Sequence, residues 1–127
     1  MKRWIDLGAR VLLGLIFFVF GLNGFLHFLP MPELAGPARS MMEALAGTGY
    51  FFPVLKLVET ISGAALLADL FVPLALVLLA PVVVQIALFH LFLDPAGLPL
   101  AAVIVVLEAY LGFGVYRERF AGVLRPR

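Results

Sequence analysis

Cysteine is absent from this 127-residue chain, so no disulfide, thiolate metal site or protein-thiol redox step can form within it. Charge is scarce as well: 13% of residues are charged against 64% hydrophobic, and the mean hydropathy is +1.12. A soluble domain of this length has too little interior to hide so much apolar side chain, so the solvent is lipid. The apolar runs are continuous rather than alternating, which argues against a transmembrane β-barrel. Lys2 and Arg3 precede the first run as they would in a signal peptide. That run is too long for such a segment and no small-x-small site follows it directly, so it is expected to stay as a span.

What is present is four runs near the length of about 20 residues that a bilayer core needs. They cover about residues 5–29, 50–70, 72–92 and 98–116. Little chain is left for a soluble module. The expectation is an all-α, antiparallel, integral membrane four-helix bundle forming one domain over residues 1–127. The links "ADLFVP" and "DPAGLP" are short enough to force hairpins, with Pro99 suited to a helix start. The one sizeable connection, Pro30 to Gly49, holds Ser40-Met41-Met42-Glu43, which matches a capping box, then "ALAG", whose glycine can end a helix. It reads either as a short interfacial helix between the first two spans or as an ordinary loop. Pro81 falls mid-span and frees the Val77 carbonyl, so a bend is expected there. Gly14 and Gly21 with Phe17 and Arg10, then Gly63 with Ala64, and Gly112, mark expected seams of close helix approach.

Basic residues gather at both chain ends: Lys2, Arg3 and Arg10, then Arg117, Arg119, Arg125 and Arg127. Positive residues stay cytoplasmic, so both termini are expected inside, with Arg39 and Asp94 outside. At about 1.5 Å of rise per residue, this orientation sets the depth of every polar side chain. Asn23, His27, Lys56, Glu59, Gln85, His90 and Asp94 all fall in the outer half, and Glu108 lies near the middle of the fourth span. The inner half reads as almost purely apolar.

Magnitudes argue for a purpose. The second span has eleven Leu, Ile, Val or Phe residues between Phe51 and Phe71. They supply about −5 kcal/mol on insertion scales, against about +6 for Lys56 and Glu59 at mid-span. The i,i+3 spacing lets these two charges pair, and that face must point into the bundle. Glu108 has no opposite charge on its own helix and must find one elsewhere, stay protonated or touch water. Asn23, His27, Lys56, Glu59, Gln85 and Glu108 are therefore the candidate ligand-binding residues. A structural hydrogen-bond network among the helices is the competing reading. His90 pairs best with Asp94, one turn on. Two histidines could also ligate haem, but His90 lies about 140° round its helix from Gln85, which disfavours haem. A quinone or similar small amphiphile needs only a donor or two in an apolar slot. No catalytic residue and no metal ligand set is assigned, and no nucleic-acid partner is expected.

The order and spacing of "GARVLLGLIFFVFGLNGFLHF", "TGYFFPVLKLVETISGAALL", "FVPLALVLLAPVVV", "LFHLFLDPAGLP" and "YRERF" resemble DoxX family membrane proteins over nearly the whole chain. The resemblance implies a four-helix protein of the bacterial inner membrane with a loose link to quinone-coupled respiratory chemistry. Some relatives carry a lysine at the end of the first span, where this chain reads "NGFLHF"; its intramembrane lysine is Lys56. The family's glutamate-plus-glycine pattern of the second span is present as Glu59 and Gly63. Two readings stay open. One is an accessory quinone-interacting subunit beside a redox partner protein. The other is a non-catalytic protein, alone or as a homo-oligomer, that binds a lipid-like ligand, moves a small solute or scaffolds a partner.

Overall fold

Apolar spans joined by very short links can satisfy their backbones in lipid only as hairpins of helices, because hydrocarbon offers no hydrogen-bond partners. The computed structural model, which describes residues 2–28 and 33–124, has this form. In chain order the elements are α1 (Lys2–Leu26), α2 (Gly36–Gly47), α3 (Phe51–Ala68), α4 (Val72–Phe92), a 3-10 turn (Pro95–Gly97), α5 (Leu98–Ala109), a π-helical turn (Tyr110–Val115) and α6 (Arg117–Leu124). Among the described residues, four segments are long and apolar enough to cross a membrane: Arg3–Leu26, Phe51–Ala68, Val72–Phe92 and Pro95–Val115. The chain is a multi-pass membrane protein of the four-helix-bundle type. The spans pack in a ring: α1 on α3, α3 on α4, α4 on α5, and α5 with its π turn back on α1.

The α1–α3 contact is by far the most extensive, and glycine is the reason. A Cβ on Gly63 would lie 2.8 Å from the Gly14 carbonyl oxygen, and one on Gly21 would lie 2.7 Å from the Thr60 nitrogen. Bare backbones let the two helices touch, which is how apolar helices gain contact when lipid already solvates their side chains. Leu13 and Phe17 of α1 bury against this seam, and Leu66, Leu76, Leu79 and Leu111 complete the centre. Trp4, Leu57, Ile61, Leu74, Val84, Val106 and Phe113 point outward, as lipid-facing side chains should.

Several local expectations need correction. α1 stops at Leu26 and His27 turns left-handed (φ 52°); the expected end at Leu29 lies outside the described residues. The interfacial-length helix forms, but from Gly36 with Pro37 in its first turn, not from Ser40. Proline's fixed φ starts the helix earlier, and Glu43 turns to Arg39 (2.8 Å) one turn away instead of capping. Ala38 buries as α2 leans on α3. Pro81, where a bend is expected, does lie inside a helix as read from sequence, and α4 runs on past it to Phe92. Gly112 marks no seam, since nothing lies within 4 Å of where its Cβ would be. The α3–α4 link is tight enough that Asp69 and Phe71 both adopt left-handed backbone, at φ 58° and 52°.

Candidate functional site

Helical periodicity puts residues 56, 59, 62, 63 and 66 of α3 on one side, and the fold turns that side inward. Glu59 and Ser62 are only 5% and 2% exposed. The Lys56 ammonium lies 3.2 Å from Oε2 of Glu59, so the expected i,i+3 pair forms. The Lys56 stem fills the space above Gly24, where a Cβ would strike its methylenes. Thr60 is satisfied locally, its hydroxyl donating to the Lys56 carbonyl at 2.7 Å. Asn23 is buried on α1, one residue before Gly24.

This face, and α5 separately, keep unused hydrogen-bonding capacity. Oε2 of Glu59 lies within ion-pair distance of Lys56 but takes no well-aligned hydrogen bond, and Ser62 Oγ and Glu108 Oε1 are buried without one. A buried polar group left unmatched costs about 1–3 kcal/mol, so a fold keeps few of them without reason. Glu108, half-buried on α5, meets no cationic side chain among the described residues. Ser62 is absent from the residues singled out by sequence, although its i+3 spacing from Glu59 and its place beside Gly63 signal the shared face.

The remaining sequence candidates do not join this group. Gln85 faces outward from α4, and His27 is exposed just beyond the end of α1. His90 and Asp94 do meet: Nδ1 lies 3.4 Å from the carboxylate and 3.2 Å from the Asp94 carbonyl. Gly97 leaves room for the imidazole, which a Cβ there would strike. That pair closes the end of α4 and stands apart from the α3 face. Among the described residues, no three His, Asp or Glu side chains gather in a way that could hold a metal ion.

A second polar cluster sits at the opposite end of the bundle, in the half that reads from sequence as apolar. Arg10 Nη1 donates to the Leu66 carbonyl, and its Nε lies 3.8 Å from Asp69. The Tyr110 hydroxyl donates to Asp6, joining residues 104 apart in the chain. The π turn, which begins at Tyr110, brings the end of the fourth span against α1. Just beyond that span, burial first and the Asp69 carboxylate second hold the Tyr116 phenol above its ordinary pKa. Asp6, Arg10, Asp69 and Tyr116 border an open cleft of about 330 Å³. A second cleft of about 370 Å³ lies at the loop end between Glu33, Arg39 and Glu43. Comparison with known proteins returned no matching family model, no matching curated protein and no matching solved structure.

Proposed function

We propose that this chain is a small protein of the bacterial inner membrane, DoxX-like, with both termini cytoplasmic, that holds a quinone-like amphiphile as an accessory subunit of a membrane oxidoreductase. One observation carries the reading: the inward face of α3 presents buried donors and acceptors with unused hydrogen-bonding capacity. A quinone carbonyl needs donors, which the Lys56 ammonium and the Ser62 hydroxyl supply. A quinol hydroxyl needs an acceptor, which Oε2 of Glu59 supplies. Glu108, half-buried on α5 with an unmatched oxygen, is a carboxyl group of the fourth span able to take or give a proton. α5 touches α1 far less than α3 does, so the α1–α5 seam is the weakest lateral way in from lipid. His27 and Gln85, both turned outward, have no part in this reading.

Gentle purification followed by a visible spectrum and mass spectrometry of co-extracted lipid tests the proposal. A quinone should accompany the wild-type protein and be depleted from Ser62→Ala and Glu59→Gln. Protein that carries no quinone, and binds no quinone analogue on titration, contradicts it. Orientation has a separate test, because any introduced cysteine is unique. Cysteine at Arg39 should react with an impermeant thiol reagent on intact spheroplasts, and cysteine at Arg119 should not. The reverse labelling would invert the topology.

A further inference from the structure

The cleft at the terminal end is framed by Arg3, Trp4, Asp6, Arg10, Asp69 and Tyr116. It opens where α1 begins, α3 ends and the fourth span ends, which is the plane of lipid headgroups. We propose that this cleft holds the headgroup of a zwitterionic phospholipid bearing a primary ammonium. The assignment stands on a different site from the α3 face and does not depend on the quinone reading.

Charge selects the headgroup. Two cations and two carboxylates border the cleft, so a lone anion meets the two carboxylates and a lone cation meets the two guanidinium groups. A group that is negative at one end and positive at the other matches both. Arg10 is a fixed charge, its side chain only 12% exposed, and one Nη and its Nε are directed at Leu66 and Asp69. A guanidinium has five N–H donors, so the other Nη remains for a phosphate. Arg3 is exposed and supplies the second cation. Asp69 has its side chain 65% exposed and sits 3.8 Å from Arg10, too far for a tight hydrogen bond, so its carboxylate is open to an ammonium. One oxygen of Asp6 is occupied by Tyr110 and the other is free to accept.

Size and surroundings separate a lipid from a soluble ion. A cleft of about 330 Å³ is at the small end of ligand sites, which run about 300–1,000 Å³, and suits one headgroup without its tails. Trp4, Leu7, Val11 and Leu15, spaced three and four apart, form an exposed apolar stripe that leads from the cleft along α1 into the hydrocarbon. An acyl chain can lie on it. Trp4 at its head is the residue type that anchors at the membrane–water interface.

Native mass spectrometry of the full chain, released from micelles with equal amounts of phosphatidylethanolamine, phosphatidylglycerol and phosphatidylcholine, tests the site. Phosphatidylethanolamine should be retained most, because choline cannot donate a hydrogen bond and a glycerol headgroup leaves the carboxylates unmatched. Asp69→Asn should lower its retention about two- to five-fold, in line with a partly exposed charge contact, and raise that of phosphatidylglycerol. Asparagine tolerates the left-handed backbone at this position, so the helix end should keep its shape. Arg3→Gln, at an exposed position, should weaken retention of both phosphatidylethanolamine and phosphatidylglycerol. Equal retention of the three lipids, a wild-type preference for phosphatidylglycerol, or an unchanged preference in Asp69→Asn would overturn the proposal. So would displacement of the bound lipid by millimolar inorganic phosphate, which would assign the cleft to a soluble anion.

Discussion

The two polar clusters of this bundle differ in how their side chains are matched. At the terminal end Arg10 donates to the Leu66 carbonyl and Tyr110 to Asp6, tying α1 to α3 and to the fourth span. Among the described residues, Ser62 Oγ on α3 and Glu108 Oε1 on α5 are buried without a hydrogen-bond partner, and Glu59 Oε2 has only the Lys56 ammonium at 3.2 Å. Polarity inside a membrane span therefore has two meanings in one small protein. Matched groups clamp helices together; unmatched ones are what the proposed ligand would fill. A count of polar residues per span does not separate these cases, and partner geometry does.

The Lys56–Glu59 pair is where the α3 face has a partner, so it should behave like the matched end. Removing either charge strands the other in a low-dielectric interior, at about 3 kcal/mol. Lys56→Met and Glu59→Leu together should cost less than the sum of the two. Thermal unfolding of the three variants in detergent measures this, and strict additivity would show that the charges do not interact. Next in size is Arg10→Ala, expected to destabilise by about 2 kcal/mol through the loss of charged hydrogen bonds. A melt unchanged by that substitution would mean that the terminal cluster holds nothing. Tyr110→Phe removes one neutral donor from Asp6 and should lower the melting temperature by less than Arg10→Ala does in the same assay.

The smallest effect concerns pH. The Tyr116 phenol has its pKa raised in the folded chain. Its contribution to stability is complete below the ordinary tyrosine value of about 10 and is lost as pH rises through the higher folded value. Stability followed from pH 9 upward should fall less steeply in Tyr116→Phe than in the wild-type protein. Identical slopes would contradict the burial ascribed to this ring.

The parts of this arrangement that depend on near neighbours are legible in the sequence. Span lengths, hairpin links, the Lys56–Glu59 and His90–Asp94 pairs and the Gly14–Gly21–Gly63 seam all follow from composition and from spacings of three, four or seven residues. What is not legible depends on helical phase or on distant partners. α4 is apolar all the way round, so periodicity has no polar face against which to orient Gln85, and the structure turns it outward. His27 shares a helical face with Asn23 only if α1 continues, and the helix ends one residue earlier. The bond between Tyr110 and Asp6 joins the two ends of the chain, and the π turn beside it leaves no mark in the apolar run "YLGFGV". Ser62 is the instructive omission: a small hydroxyl costs little in a hydropathy sum, yet at 2% exposure it is among the most buried polar groups of the bundle.

Ser62 also gives the most direct test of the central claim, that unmatched polar atoms on α3 are kept for a ligand. Wild-type protein and Ser62→Ala should be titrated with a quinone analogue in mild detergent, with thermal unfolding recorded on the same samples. Ser62→Ala should be as stable as wild type or slightly more so, because a buried hydroxyl without a partner has been removed. Its binding should be weaker by about 5- to 150-fold, the equivalent of about 1–3 kcal/mol for a ligand carbonyl that has lost its donor. Equal affinity in the two proteins, or a loss of stability with no change in binding, would contradict it.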